Sequence, residues 1–245
     1  MEVELKYRLP VELGDFLPRL DQWVLELGGR PREAWLRDYY YALYFVPELA
    51  GSDLAGDEAY VYRLRQEGQV LCLTVKWKVP TVAERQTEAL ALSRRGEWNC
   101  PLPELASRVC PEEAESQGLD PCLLEKLRSC LRSLGAEDRR WEGLPLLARQ
   151  SLELGSYQAL FVSAFWRSHR RFHWAENQLE WALDYGELRA GPGLQRREPI
   201  AELELESLEG PEQTLLSLDR KLRQDLGLEA ETRSKYQRLC SLAEG

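Results

Sequence analysis

Residues 2–8 read EVELKYR, in which Glu2, Glu4, Lys6 and Arg8 alternate with Val3, Leu5 and Tyr7. Successive side chains of a β-strand point to opposite faces, so this stretch gathers two carboxylates, an ammonium and a guanidinium on one face and an apolar row on the other. A charged strand face is either solvated sheet surface or the lining of a binding site. The rest of the chain bears on which of the two this is.

The same alternation recurs downstream. In YRLRQ (62–66) Arg63 and Arg65 share a face, and in TVKWK (74–78) Lys76 and Lys78 do. The QEGQ at 66–69 marks a hairpin between them, which puts four cations on neighbouring strands. In FWRSHRRFH (165–173) Arg167, His169, Arg171 and His173 fall on one parity. In QLEWALD (178–184) Glu180 and Asp184 oppose Leu179, Trp181 and Leu183, and in AELELESL (201–208) Glu202, Glu204 and Glu206 oppose Ala201, Leu203 and Leu205.

One such strand reads most simply as the wet side of an antiparallel sheet. Segregation of sign points elsewhere: carboxylates gather on the first and last strands, and Arg and Lys on the middle ones. Like charges side by side repel unless an ion of opposite sign compensates them. A closed barrel reconciles these features, its charged faces lining a water-filled tunnel and its apolar faces packed outward under helices. The acidic wall then suits Mg²⁺ or Mn²⁺, hard cations that take carboxylate oxygens. The basic wall suits an anion with several phosphate groups, which Arg meets with a bidentate fork and Lys with a point charge.

Strands are expected at 35–45, 59–66, 70–79, 85–92, 160–172, 178–184 and 200–208 beside the opening one. Helical spacing runs from Leu13 to Leu27, closed by Gly28-Gly29, and again over Leu123–Leu134 and Leu215–Leu226. Residues 101–135 form a helical insertion, and the final RSKYQRL (233–239) reads as a short tail. With no repeat or linker, the expected architecture is a single α+β domain over 1–245, a mainly antiparallel sheet with surrounding helices.

The 245 residues are 44% hydrophobic and 30% charged, the make-up of an ordinary globular protein, with no apolar run of the roughly 18 residues a membrane span needs. The N-terminus is acidic rather than basic and then apolar, so no signal peptide is expected and the cytoplasm is the default. A net charge of -9 argues against nucleic acid as a partner. The six cysteines include no C-x-x-C pair, which indicates thiols rather than a zinc site or a disulfide framework. His169 and His173, four apart, would suit zinc only on a helix, and the alternation around them says strand.

Taken together, Glu2-Val3-Glu4-Leu5-Lys6 resembles the ExExK signature of the CYTH family, the triphosphate tunnel metalloenzymes. Arg63-Leu64-Arg65, Thr74-Val75-Lys76, Arg85, Arg167, Asp184, Glu202-Leu203-Glu204 and Ser234-Lys235 follow in the family's order. The second half is most similar to the bacterial inorganic triphosphatase branch. The resemblance implies a closed eight-stranded antiparallel β-barrel and hydrolysis of inorganic triphosphate to pyrophosphate and phosphate, dependent on Mg²⁺ or Mn²⁺. It assigns Glu2, Glu4, Asp184, Glu202 and Glu204 to metal. It assigns Lys6, Arg63, Arg65, Lys76, Arg85, Arg167 and Lys235 to phosphate. Strand parity adds Lys78 to the phosphate contacts, and adds Arg171 and Glu206 as further charged residues of the same faces. Glu4, Lys6, Arg63 and Lys76 are the expected catalytic set, with one ion on the phosphate oxygens, a second near Glu4, and no histidine or cysteine nucleophile. Thiamine triphosphatase, class IV-type adenylate cyclase and a non-catalytic polyphosphate- or nucleotide-binding module remain open.

Two departures from the family pattern stand out. The usual R-x-E-x-E strand appears as Arg85-Gln86-Thr87-Glu88, which shifts the parity of its carboxylate, and the common Tyr-x-Asp-Thr strand reads Tyr39-Tyr40-Tyr41-Ala42. The CHAD domain often fused after the tunnel is expected to be absent, since the chain stops at Gly245.

Overall fold

The computed structural model of the chain describes residues 2–9, 16–31, 33–48, 60–67, 70–78, 92–105 and 123–245. Its strands are β1 (Glu2–Arg8), β2 (Arg30–Pro31), β3 (Leu36–Glu48), β4 (Tyr60–Glu67), β5 (Val70–Lys78), β6 (Leu92–Pro101), β7 (Ser156–Trp174), β8 (Asn177–Ala190), β9 (Arg196–Glu209) and β10 (Glu229–Ala230). The helices are α1 (Phe16–Glu26), α2 (Leu123–Ser133), α3 (Leu146–Leu154), α4 (Glu212–Leu226) and α5 (Lys235–Glu244).

Eight strands pair in the order β1-β6-β5-β4-β3-β7-β8-β9, all antiparallel. β9 then pairs with β1, Leu5 opposite Leu205 and Lys6 opposite Glu204, which closes the barrel. The two-residue β2 and β10 add to β7 and β1.

The apolar rows read from the sequence face outward. Leu5, Tyr7, Leu183, Leu203 and Leu205 pack with Phe16, Leu20 and Trp23 of α1 and with Leu215, Leu218 and Leu222 of α4. Across the barrel, Leu64, Leu73, Val75 and Trp98 pack under Leu127 and Leu131 of α2 and Leu152 of α3. Each fully buried leucine of this kind contributes about 2 kcal/mol by leaving water. Closure therefore satisfies two demands at once: it removes the sheet edges, and it holds every charged row in one interior.

The α+β barrel with surrounding helices is the architecture expected from the sequence, with differences of detail. The expected strand at 85–92 lies, apart from Leu92, outside the described residues, while β6 occupies 92–101, a stretch without an assignment in the sequence reading. β7 starts at Ser156 and β8 continues to Ala190, so both outrun the expected strands. Of the expected helical insertion, α2 is present and residues 106–122 lie outside the described set. Cys72 and Cys100 are buried and Cys130 and Cys240 half-buried, while Cys110 and Cys122 lie outside the described residues. Among the described residues no helix is long and apolar enough to cross a membrane.

The final stretch is a helix rather than a tail. Ser234 caps α5: its hydroxyl accepts from the Gln237 amide at 3.1 Å, and the Gln237 side chain accepts from the Ser234 amide at 2.8 Å. Leu239 of this helix packs on Ala42, Tyr44, Phe165 and Ile200, whose side chains belong to the interior face, so α5 plugs one end of the tunnel. Removing the cap with Ser234→Ala is expected to lower stability by about 1 kcal/mol, read from urea unfolding. An unchanged midpoint would mean that packing and the ion pairs of Lys235 and Arg238 hold the plug without the cap.

Candidate active site

Cross-strand register sets the interior. Arg167 lies opposite Asp184, Asp184 opposite Glu202, and Glu204 opposite Lys6, so residues far apart in sequence fall into adjacent rows. Asp184, Glu202 and Glu204 each offer an oxygen within 4.8 Å of the others'. Asp184 and Glu202 are fully buried, which without cations would be costly.

The cations are close. The Lys235 ammonium sits 2.9 Å from Asp184, 2.7 Å from Glu202 and 2.8 Å from Glu204. The Arg167 fork donates to both oxygens of Asp184 at 2.6 Å and to Glu204 at 2.5 Å. Lys6 bridges Glu204 at 3.1 Å and Glu4 at 3.4 Å, and the Ser93 hydroxyl donates to Glu4 at 3.2 Å. Arg238, one turn after Lys235, pairs with Glu202 and donates to Glu198 at 2.7 Å and to the Pro199 carbonyl at 2.9 Å.

Beside this cluster opens a cavity of about 380 Å³. Arg63 and Arg65 of β4, Lys76 and Lys78 of β5 and Arg95 of β6 line it on one wall, and Glu4, Glu204 and Glu206 on the other. β4 lies across the closed strand order from β9, so Arg63 and Arg65 face Glu204 and Glu206, while β6 pairs with β1 and Arg95 stands where the two walls meet. Tyr40 stacks on Phe165 at 5.6 Å within the cavity, and the guanidinium groups of Arg167 and Arg65 lie 5.3 and 5.9 Å from the Tyr40 ring. In the altered Tyr39-Tyr40-Tyr41-Ala42 stretch, Tyr40 and Ala42 line the interior wall, whereas Tyr41 packs with Leu43, Val162 and Ala164.

Burial alone would push the Glu204 carboxyl up, but Lys235, Lys6 and Arg167 outweigh it and hold the group well below its ordinary value of 4.5. Burial also raises Glu4, and so does the Glu204 charge; Lys6, Lys76 and Arg95 overcome both and leave it below 4.5. For Lys6, Lys235 and Arg167 burial favours the neutral form, yet the neighbouring carboxylates raise all three above their usual values. A carboxylate with a depressed folded pKa contributes stability that is complete above its unfolded pKa and lost as pH falls through the folded one. Urea midpoints are thus expected to stay level from about pH 7 to 5 and to decline below about pH 4.5. A midpoint that rises on acidification would contradict this charge arrangement.

The structure brings together Glu4, Lys6, Arg63, Arg65, Lys76, Lys78, Arg167, Glu204, Glu206 and Lys235 around the cavity, with Asp184 and Glu202 behind them. Lys235 is directed at the carboxylates, although the family pattern counts it with the phosphate contacts. Arg171 is half exposed and pairs with Glu180 at 3.0 Å, near His169, which meets Asp38 at 3.1 Å. Arg85, Glu88 and the side chain of Glu2 lie outside the described residues. Three cavity residues were missed: Arg95, Glu97 and Asn99, with Glu97 3.1 Å from Lys76 and Asn99 accepting from Thr74 at 2.8 Å. The alternation of Ser93, Arg95, Glu97 and Asn99 was the available signal. Arg238 was missed as well, since its segment was read as a tail and only the Ser234 to Gln237 capping-box spacing marked it as a helix.

A barrel closed by eight antiparallel strands, with carboxylates, guanidinium groups and ammonium groups inside it, defines a charged tunnel. The CYTH domain model matches residues 1–239, and the chain belongs to the CYTH family. Among solved structures, HpAC1 from Hippeastrum, described as having a dominant triphosphatase activity, is similar over 99% of this chain and 97% of its own, with 19% identity and a TM-score of 0.56. A Pyrococcus horikoshii OT3 protein aligns with 98% of this chain and 99% of its own at 14% identity, with a TM-score of 0.47. A Bacillus halodurans protein named as a candidate adenylate cyclase aligns with 97% and 96% at 14% identity, with a TM-score of 0.48. At these identities the likeness is one of fold.

Proposed function

We propose that this chain is a divalent-metal-dependent hydrolase of inorganic triphosphate, cleaving tripolyphosphate to pyrophosphate and phosphate. The carrying observation is the cavity whose basic wall of Arg63, Arg65 and Lys76 faces the carboxylate cluster. The donor set fits a hard cation: Asp184, Glu202 and Glu204 offer only carboxylate oxygens, close together, and already demand positive charge. These three would hold Mg²⁺ or Mn²⁺, with Glu4 beside them. When bound, the cation supplies charge that neutralises phosphoryl oxygens and favours attack on phosphorus.

The chain's own groups account for the remaining work. Arg63, Arg65, Lys76 and Lys78 bind phosphoryl oxygens along the basic wall, Arg for planar pairs of oxygens and Lys for single ones. Arg167 and Lys6 sit among the carboxylates, which hold them cationic, so they draw the polyanion toward the acidic side. The walls are fixed by strand pairing, which preorganises the charges.

An organic triphosphate is the second candidate, favoured by the stacked Tyr40 and Phe165 in the cavity, a surface for the ring of thiamine triphosphate or ATP. Phosphate release from tripolyphosphate, thiamine triphosphate and ATP under Mg²⁺ or Mn²⁺, with cyclic AMP read from the ATP arm, separates these outcomes. Tripolyphosphate is expected to be the best substrate. No release from any of the three, with tight binding intact, would convert the chain to a binding module. As part of the same proposal, residues 1–245 form one such domain acting in the cytoplasm on a small molecule, with neither nucleic acid nor membrane as partner.

A further inference from the structure

The carboxylate cluster is neutralised by a group of the protein itself. The Lys235 ammonium lies within 2.9 Å of Asp184, Glu202 and Glu204 together, among the same oxygens that would hold a divalent cation. The helix that carries it is pinned independently: the Ser234 and Gln237 capping box fixes its first turn, and Arg238 ties it to Glu198, Glu202 and the Pro199 carbonyl. The Lys235 side chain also lines the cavity and lies 5.2 Å from the Phe165 ring. Its four-carbon stem is flexible, so the ammonium can leave the cluster while the helix stays in place. An ammonium and a divalent ion a few ångströms apart repel strongly in a buried site, so the two cannot share these oxygens.

We propose that Lys235 is a tethered counter-ion of the metal site: beside Arg167 and Arg238, which share the charge of Asp184, Glu202 and Glu204, its ammonium touches all three carboxylates until a divalent cation takes them, and the displaced ammonium then turns into the cavity. This rests on the metal-dependent reading of the site. It makes Lys235 a positioning residue that weakens metal binding to the free protein. It also places a cation in the cavity once metal is bound, where a phosphoryl oxygen can take it.

Mn²⁺ titration by calorimetry, without any phosphate compound, tests this on the wild-type chain and on Lys235→Met. The variant keeps most of the unbranched side chain and lacks the charge, and it is expected to bind Mn²⁺ about tenfold more tightly than wild type. Equal or weaker binding by the variant, with wild type binding normally, overturns the inference and leaves the metal reading standing. Absence of Mn²⁺ binding to both proteins overturns both. Should the variant not fold, wild type answers alone: acetylation of Lys235 by an amine-reactive ester, read by mass spectrometry, is expected to rise several-fold on adding Mn²⁺. Labelling that stays level or falls while Mn²⁺ binds overturns the proposal.

Discussion

Glu204→Gln is expected to reduce phosphate release from tripolyphosphate by about a hundredfold or more while leaving the protein folded, because it removes one charged oxygen donor from a hard-cation site. Glu204 meets Lys235, Lys6 and Arg167 at 2.8, 3.1 and 2.5 Å, which ties it to three of the cavity's cations at once. The amide retains the shape and loses the charge. Arg167 keeps its paired bonds to Asp184, and Lys235 keeps Asp184 and Glu202, so the fold loses few partners. The decisive pairing is a steep loss of turnover with a melting temperature close to wild type. Turnover within about threefold of wild type would remove Glu204 from the chemistry.

The largest effect on stability is expected at Arg238. Glu202 is fully buried, and Arg238, itself almost wholly buried, is one of its two cationic partners. Removing one partner of a buried pair strands the other charge, a loss of about 3–5 kcal/mol. Arg238→Met keeps much of the volume and deletes the charge along with the links to Glu198 and Pro199. Urea unfolding followed by circular dichroism is expected to show a loss of that size, far above the Ser234→Ala effect on the same helix. A loss below about 1 kcal/mol would mean that Lys235 alone compensates Glu202.

Much of this was legible because a barrel interior obeys strand parity. Once EVELKYR and AELELESL are read as strands, Glu4, Lys6, Glu202 and Glu204 share a face, and pairing of β1 with β9 brings them together. β6 was harder to see for a physical reason: Arg94 points outward yet is charged, because Glu212 at the start of α4 lies 2.9 Å from it and compensates it. Adjacent Arg94 and Arg95 therefore hide an alternation that the register makes plain. α5 escaped because its sequence carries few leucines. Its helical face is read by the barrel interior, where Lys235 and Arg238 are as much core residues as Leu239. Only the Ser234 to Gln237 spacing of a capping box announced it. The seat of Lys235 among carboxylates could not be read from spacing, since it depends on where the plug enters the tunnel.

The proposed function places a polyphosphate on the basic wall of the tunnel and a divalent cation on Asp184, Glu202 and Glu204. The most direct measurement is anomalous diffraction from crystals grown with Mn²⁺ and tripolyphosphate or a non-hydrolysable analogue. The expected result is a manganese peak in coordination range of those three carboxylates with phosphoryl density against Arg63, Arg65 and Lys76. Manganese bound elsewhere, or polyphosphate confined to the outer surface with the cavity filled by water, would contradict it.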